Sequence, residues 1–114
     1  MGDYRDLRAW QAADRLAHSV FNLAEQHWRP QDATIYDQLR RAALSVPLNL
    51  AEGHACGPGK RFRWHLGVAY GSAVETEAIL RFLLARGVTV DGMLQQVSSV
   101  RALVYRLRER TPPE

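Results

Sequence analysis

The stretch Arg40–Gly53, RRAALSVPLNLAEG, decides how the chain is read. Its residues are mostly good helix formers, yet proline stands in the middle, at position 47. Inside a helix, proline removes one backbone donor and presses its ring on the carbonyl four residues back, here that of Ala43, at a cost of about 3 kcal/mol. The apolar positions nevertheless keep phase across it. Ala43, Val46 and Leu50 follow at spacings of three and four, which is one face of a helix. The reading is one helix that continues through a kink at Pro47. The polar positions have a register of their own: Gln38, Arg41, Ser45, Asn49 and Glu52 step by three or four along one side. Several are short hydrogen-bonding groups, which suit a seam pinned between helices better than a solvated face.

Working outward, no strand-like alternation survives, and helical periodicity recurs in four stretches, over about 6–28, 34–54, 60–85 and 91–110. In the first, Leu7, Trp10, Ala13, Ala17, Val20 and Ala24 form the apolar stripe, widened by Leu16, Phe21 and Leu23. In the third, Phe62, Leu66, Ala69, Ala73, Thr76, Leu80 and either Leu84 or Leu83 do so, with Gly87 as the natural cap. In the fourth the stripe is Met93, Val97, Val100, Val104 and Leu107. Short breaks at RPQD and CGPG place successive helices antiparallel. The expected fold is all-α: a single domain over 1–114, an up-down-up-down antiparallel four-helix bundle.

The third helix offers partners for the polar seam. In GVAYGSAVETE, Gly67 and Gly71 lie one turn apart, a costly choice that suggests close approach of a second helix or a backbone that lies near something else. Ser72 and Glu75 stand where they can meet Asn49 or Arg41. A structural network of Arg41, Ser45, Asn49, Glu52, Ser72 and Glu75 is preferred over a ligand site, since buried polar groups are mostly satisfied by neighbours.

Composition narrows the function classes. The lone cysteine, Cys56, forbids an internal disulfide and fits a reducing compartment, so a cytoplasmic protein is expected. No apolar run approaches the roughly 18 residues that cross a bilayer, and no membrane role is expected. The net charge of +3 permits an anionic partner without demanding one. The loop HACGPGKR comes near a nucleotide-binding P-loop, but His54 replaces the first glycine and Arg61 the metal-holding hydroxyl. No metal site is expected, because His54 and Cys56 lack a second pair and no Glu-x-x-His occurs. Glu75 and Glu77, two apart on a helix, point to different faces. Neither an enzyme nor a cofactor is expected.

What remains is a basic surface. Arg40 and Arg41 sit together, Lys60, Arg61 and Arg63 form the densest cluster, and Arg101 and Arg108 share a face at two turns. These seven are the candidate contacts to RNA or DNA, with Trp64 placed to stack on a base. A scaffold that engages a protein partner without nucleic acid is the alternative. Trp10, Trp28, Trp64, Leu94 and Leu103 exceed what one thin bundle buries, which supports self-assembly.

Three segments carry a resemblance: YRDLRAWQAADRLAHSVF, QLRRAALSVPLNLAEG and FRWHLGVAYGSAVETEAIL. Together they resemble the four-helix-bundle family encoded in intervening sequences of bacterial 23S rRNA, also labelled S23 ribosomal protein. The family is related to the accessory variability proteins of diversity-generating retroelements. The hallmarks stand here as Tyr4, Asp6 and Leu7; as Arg41, Ala42, Ser45, Pro47, Asn49, Ala51, Glu52 and Gly53; and as Gly71, Ser72 and Glu75. The loop HACGPGKRF departs from the serine-rich, basic linker more usual in the family. The resemblance implies an up-down bundle that assembles into a homo-oligomeric ring, typically a pentamer, and retroelement relatives that bind nucleic acid and a reverse transcriptase through a basic surface. In such a ring the charge of each chain is repeated, reaching roughly +15.

Overall fold

The computed structural model describes residues 2–90 and 92–112. Helix α1 spans Arg8–His27, α2 Ala33–Ala55, α3 Lys60–Ala85 and α4 Met93–Arg110. Each packs against its neighbours in the circuit α1–α2–α3–α4–α1. The result is an antiparallel bundle of 45 × 21 × 20 Å. The expected boundaries hold to within two residues. The one real difference lies before α1, where Tyr4–Asp6 form a separate 3-10 turn. That turn is tied off by its own carboxylates: Asp3 accepts from the Arg5 amide at 2.8 Å, and Asp6 accepts from the Asp3 amide at 3.1 Å. The expected start of the fourth helix, at Asp91, lies outside the described residues.

The core follows the stripes predicted by periodicity, with the correction that Phe21, expected to widen the α1 stripe, is exposed, while Tyr36 and Val90, outside the stripes, are buried. Leu16, Val20, Leu39, Val46, Leu50, Leu66, Leu80, Val97, Val100 and Val104 are fully buried. Each such side chain contributes about 1.5–3 kcal/mol of apolar transfer. Leu83 takes the inward position at the end of α3, and Leu84 faces solvent. Gly87 follows with φ +94°, and the Val88 amide reaches back to the Leu83 carbonyl at 2.9 Å. That is a glycine-capped helix end, in a conformation that side chains other than glycine rarely adopt.

Helix α2 runs unbroken through Pro47, which is itself buried. The ring occupies core space, so apolar packing offsets part of the missing hydrogen bond. Beside it, the Asn49 side chain donates to the Ser45 carbonyl at 2.9 Å and to the Ser45 hydroxyl at 3.1 Å, bracing the turn that holds the proline.

Candidate nucleic-acid interface

Three cross-links between α2 and α3 realise the polar seam. Gln38 donates to Glu75, Ser72 donates to the Ser45 hydroxyl at 2.8 Å, and His65 Nδ1 meets Asn49 Oδ1 at 2.9 Å. Thr76 extends the chain of bonds by donating to the Ser72 carbonyl at 2.8 Å. Ser72 therefore meets Ser45, and Glu75 meets Gln38, where Asn49 or Arg41 were the expected partners. Arg41 and Glu52 lie on the exposed side of the same helix, outside the seam. Gly53 explains the last residue of the motif: a Cβ there would lie 2.8 Å from His65 Cβ and from the Phe62 ring. Gly71 is different, since nothing stands within 4 Å of where its Cβ would be.

The seven candidate arginines and lysine divide by what they touch. Arg63 turns inward and donates to the carbonyls of Arg108, at 2.7 Å, and Thr111, at 3.0 Å. Both carbonyls lie at the end of α4, and that of Arg108 also accepts from the Thr111 amide at 3.1 Å, so Arg63 caps that helix. Arg101 bonds Tyr70 at 3.2 Å and pairs with Glu77. The Tyr70 bond and then Glu77 hold its guanidinium charged more firmly than usual. Glu77 is also bonded by Arg81, at 2.9 Å, and these two arginines keep its carboxyl below the ordinary carboxylate value. Arg108 lies half-buried over Gly67, with its guanidinium 3.7 Å from where a Cβ would be. Gly67 thus makes room for an arginine. Arg40 pairs with Asp37 at 2.9 Å and lies 6.0 Å from the Phe21 ring centre. Arg41, Lys60 and Arg61 are exposed and enter no ion pair among the described residues.

Charge is unevenly arranged along the bundle. One end is built from the starts of α1 and α3 and the ends of α2 and α4. It gathers Arg5, Arg8, Lys60, Arg61, Arg63, Arg106, Arg108 and Arg110 against Asp3, Asp6, Glu52 and Glu109. Arg5–Asp3, at 2.9 Å, is the ion pair found there among the described residues. Toward the opposite end Arg29 is partnered by Asp32 at 3.0 Å, Arg40 by Asp37 and Arg81 by Glu77, while Arg86 is exposed and enters no ion pair among the described residues.

Periodicity within single helices missed part of this end. Arg106 and Arg110, one turn apart on α4, stand beside Arg8 across a groove floored by Leu7, Leu103 and Leu107. The i, i+4 spacing on α4 is visible in the sequence, but its meeting with Arg8 depends on the antiparallel pairing of α1 and α4.

The outer face of α3 carries exposed apolar residues interrupted by the exposed Glu75 and Arg81. Trp64 is 65% exposed and Phe82 55%, with Val74 and Gly71 between them on the same side. On α2, Leu44 and Leu48 are also exposed. No helix among the described residues is long and apolar enough to cross a membrane.

Residues 5–107 match the model of a family described as 23S rRNA-intervening sequence protein. No curated protein matches the chain.

Proposed function

The chain belongs to the 23S rRNA-intervening sequence protein family, and from that premise we propose that it is a non-catalytic, self-assembling bundle that holds RNA electrostatically. The observation that carries this reading is the excess of unpartnered cations at one end of the bundle. Phosphate attraction needs no sequence contact, only guanidinium and ammonium groups free to displace counterions. Lys60 and Arg61 at the first turn of α3 meet that condition best, with Arg41 next along α2. Arg63 and Arg101 act through the fold, holding α4 to α3.

Self-assembly supplies the second half of the reading. Trp64, Val74 and Phe82 are apolar side chains exposed along α3, and a homo-oligomer, the ring expected from the family, covers them. Repetition of the basic end around such a ring turns a modest charge into an extended phosphate-binding surface. The same face favours a second reading, a scaffold that takes a protein partner and no nucleic acid.

The test is anisotropy of a labelled mixed-sequence RNA over a salt series, with the oligomer mass recorded on the same sample. Binding that falls with salt, at a slope of about 0.7 per single-strand phosphate, and weakens at least tenfold in Lys60→Glu plus Arg61→Glu is the expected result. An intact oligomer that ignores RNA at low salt overturns the nucleic-acid reading and leaves the scaffold.

A further inference from the structure

We infer that the groove between the start of α1 and the last turns of α4 is a docking site for an acidic, amphipathic segment of a partner protein. The groove encloses about 260 Å³. Its floor is aliphatic, made by Leu7, Leu103 and Leu107, all half-buried. Its rim is cationic: Arg8, Arg106 and Arg110 are exposed and enter no ion pair among the described residues. Asp6 is the acid of the lining, and its carboxylate already accepts from the Asp3 amide.

These two chemistries together select the occupant. Three guanidinium groups that enter no ion pair among the described residues, against one lining carboxylate, favour carboxylates or phosphates, which they bind through paired N–H donors. The leucine floor favours an aliphatic or aromatic side chain, whose burial removes apolar surface from water on both sides. A sugar-phosphate backbone answers the rim and offers nothing aliphatic to the floor. A peptide with apolar residues between glutamates or aspartates answers both. Register points the same way. Leu103 with Leu107, and Arg106 with Arg110, repeat at one helical turn along α4, so a helix lying in the groove presents its own i, i+4 residues at matching spacing. This site is separate from Lys60 and Arg61, which open α3, and it does not depend on the RNA reading.

The probe is a fluorescein-labelled peptide with leucines at helical spacing flanked by glutamates, titrated into the full chain, with the leucine methyl resonances of the protein followed by NMR. Micromolar binding is expected, with shifts at Leu7, Leu103 and Leu107. It should weaken at least tenfold when the peptide leucines become serine, and equally in Arg106→Ala plus Arg110→Ala. Those arginines are exposed, so the fold survives their loss, and circular dichroism checks it. No binding, or affinity indifferent to the peptide leucines, overturns the assignment. So does mixed-sequence RNA that shifts the same three leucines, since the groove is then a phosphate site. RNA that binds without moving them, or fails to bind while the peptide still does, leaves the docking site standing and reports on the RNA reading separately.

Discussion

His65 on α3 and Asn49 on α2 are joined through Nδ1 and Oδ1 at 2.9 Å, directly beside the proline of α2. The Asn49 amide nitrogen is committed to the Ser45 carbonyl and hydroxyl. Its oxygen is therefore the acceptor, and the imidazole carries its proton on Nδ1. Ser45 in turn accepts from Ser72. Side-chain bonds thus tie α2 to α3 at two successive turns, Asn49 to His65 and Ser45 to Ser72.

Asn49→Leu should therefore cost about 1–3 kcal/mol, because it strands the His65 donor in a part-buried seam. Ser72→Ala removes one neutral bond at a site with less to strand, and about 0.5–1.5 kcal/mol is expected. Urea denaturation of the two variants checks both values and their order. Equal stability of Asn49→Leu and the parent would mean that the seam sets register without holding the bundle together.

Acid should loosen the α3–α4 contact. Glu77 lies below its ordinary value of 4.5, first through the Arg81 hydrogen bond and then through Arg101. A carboxyl depressed in the folded state contributes stability that is complete above its unfolded value and is lost as pH falls through the folded one. Glu77→Gln should thus be less stable than the parent above pH 4.5, and the two should converge on acidification. Asp3, lowered to about 2 by its bonds from Arg5, titrates in the same direction but sits on the exposed turn before α1. Denaturation midpoints between pH 7 and 2 separate the two, since Glu77→Gln leaves the Asp3 contribution in place.

Much of this architecture is legible in the amino-acid sequence. Helical periodicity carried across Pro47 because Ala43, Val46 and Leu50 all face the core, and the seam was visible because Ser45 and Asn49 are short polar groups at helical spacing. Partners were harder. Ser72 with Ser45, or Glu75 with Gln38, depends on the vertical offset of α2 against α3, which no single helix encodes. The arginines show the same limit more sharply. Arg63 reads as one of a basic cluster, and only the position of the α4 end reveals that its guanidinium meets the carbonyls of Arg108 and Thr111. Gly71 reads as a close contact, yet its surroundings within the chain are open.

Arg63→Ala should behave as a stability variant more than a binding variant. Two acceptors at the end of α4 lose a charged donor, a bond class worth about 1.5–3 kcal/mol. Amide exchange in the last turn of α4 should quicken, while the salt slope of RNA binding stays near that of the parent. In Lys60→Glu plus Arg61→Glu the pattern should reverse, with unchanged exchange and a smaller slope. An Arg63→Ala protein that keeps its exchange protection but loses RNA would return Arg63 to the interface.

Gly53 on α2 and Gly71 on α3 should respond in opposite senses. Gly53→Ala forces a Cβ to within 2.8 Å of His65 Cβ and the Phe62 ring, and the α2–α3 pair must move apart at a cost of about 1–3 kcal/mol. Gly71→Ala adds a methyl into open space in the middle of α3, where alanine outranks glycine by about 1 kcal/mol. The isolated chain should gain that stability. If the apolar face from Trp64 to Phe82 packs against a second copy, the same methyl intrudes on the contact, and assembly weakens while the monomer strengthens. Melting temperature measured across a wide protein concentration range separates the effects: Gly71→Ala should melt above the parent when dilute and lose that advantage when concentrated. An advantage constant at every concentration would show that Gly71 lies outside any interface between copies.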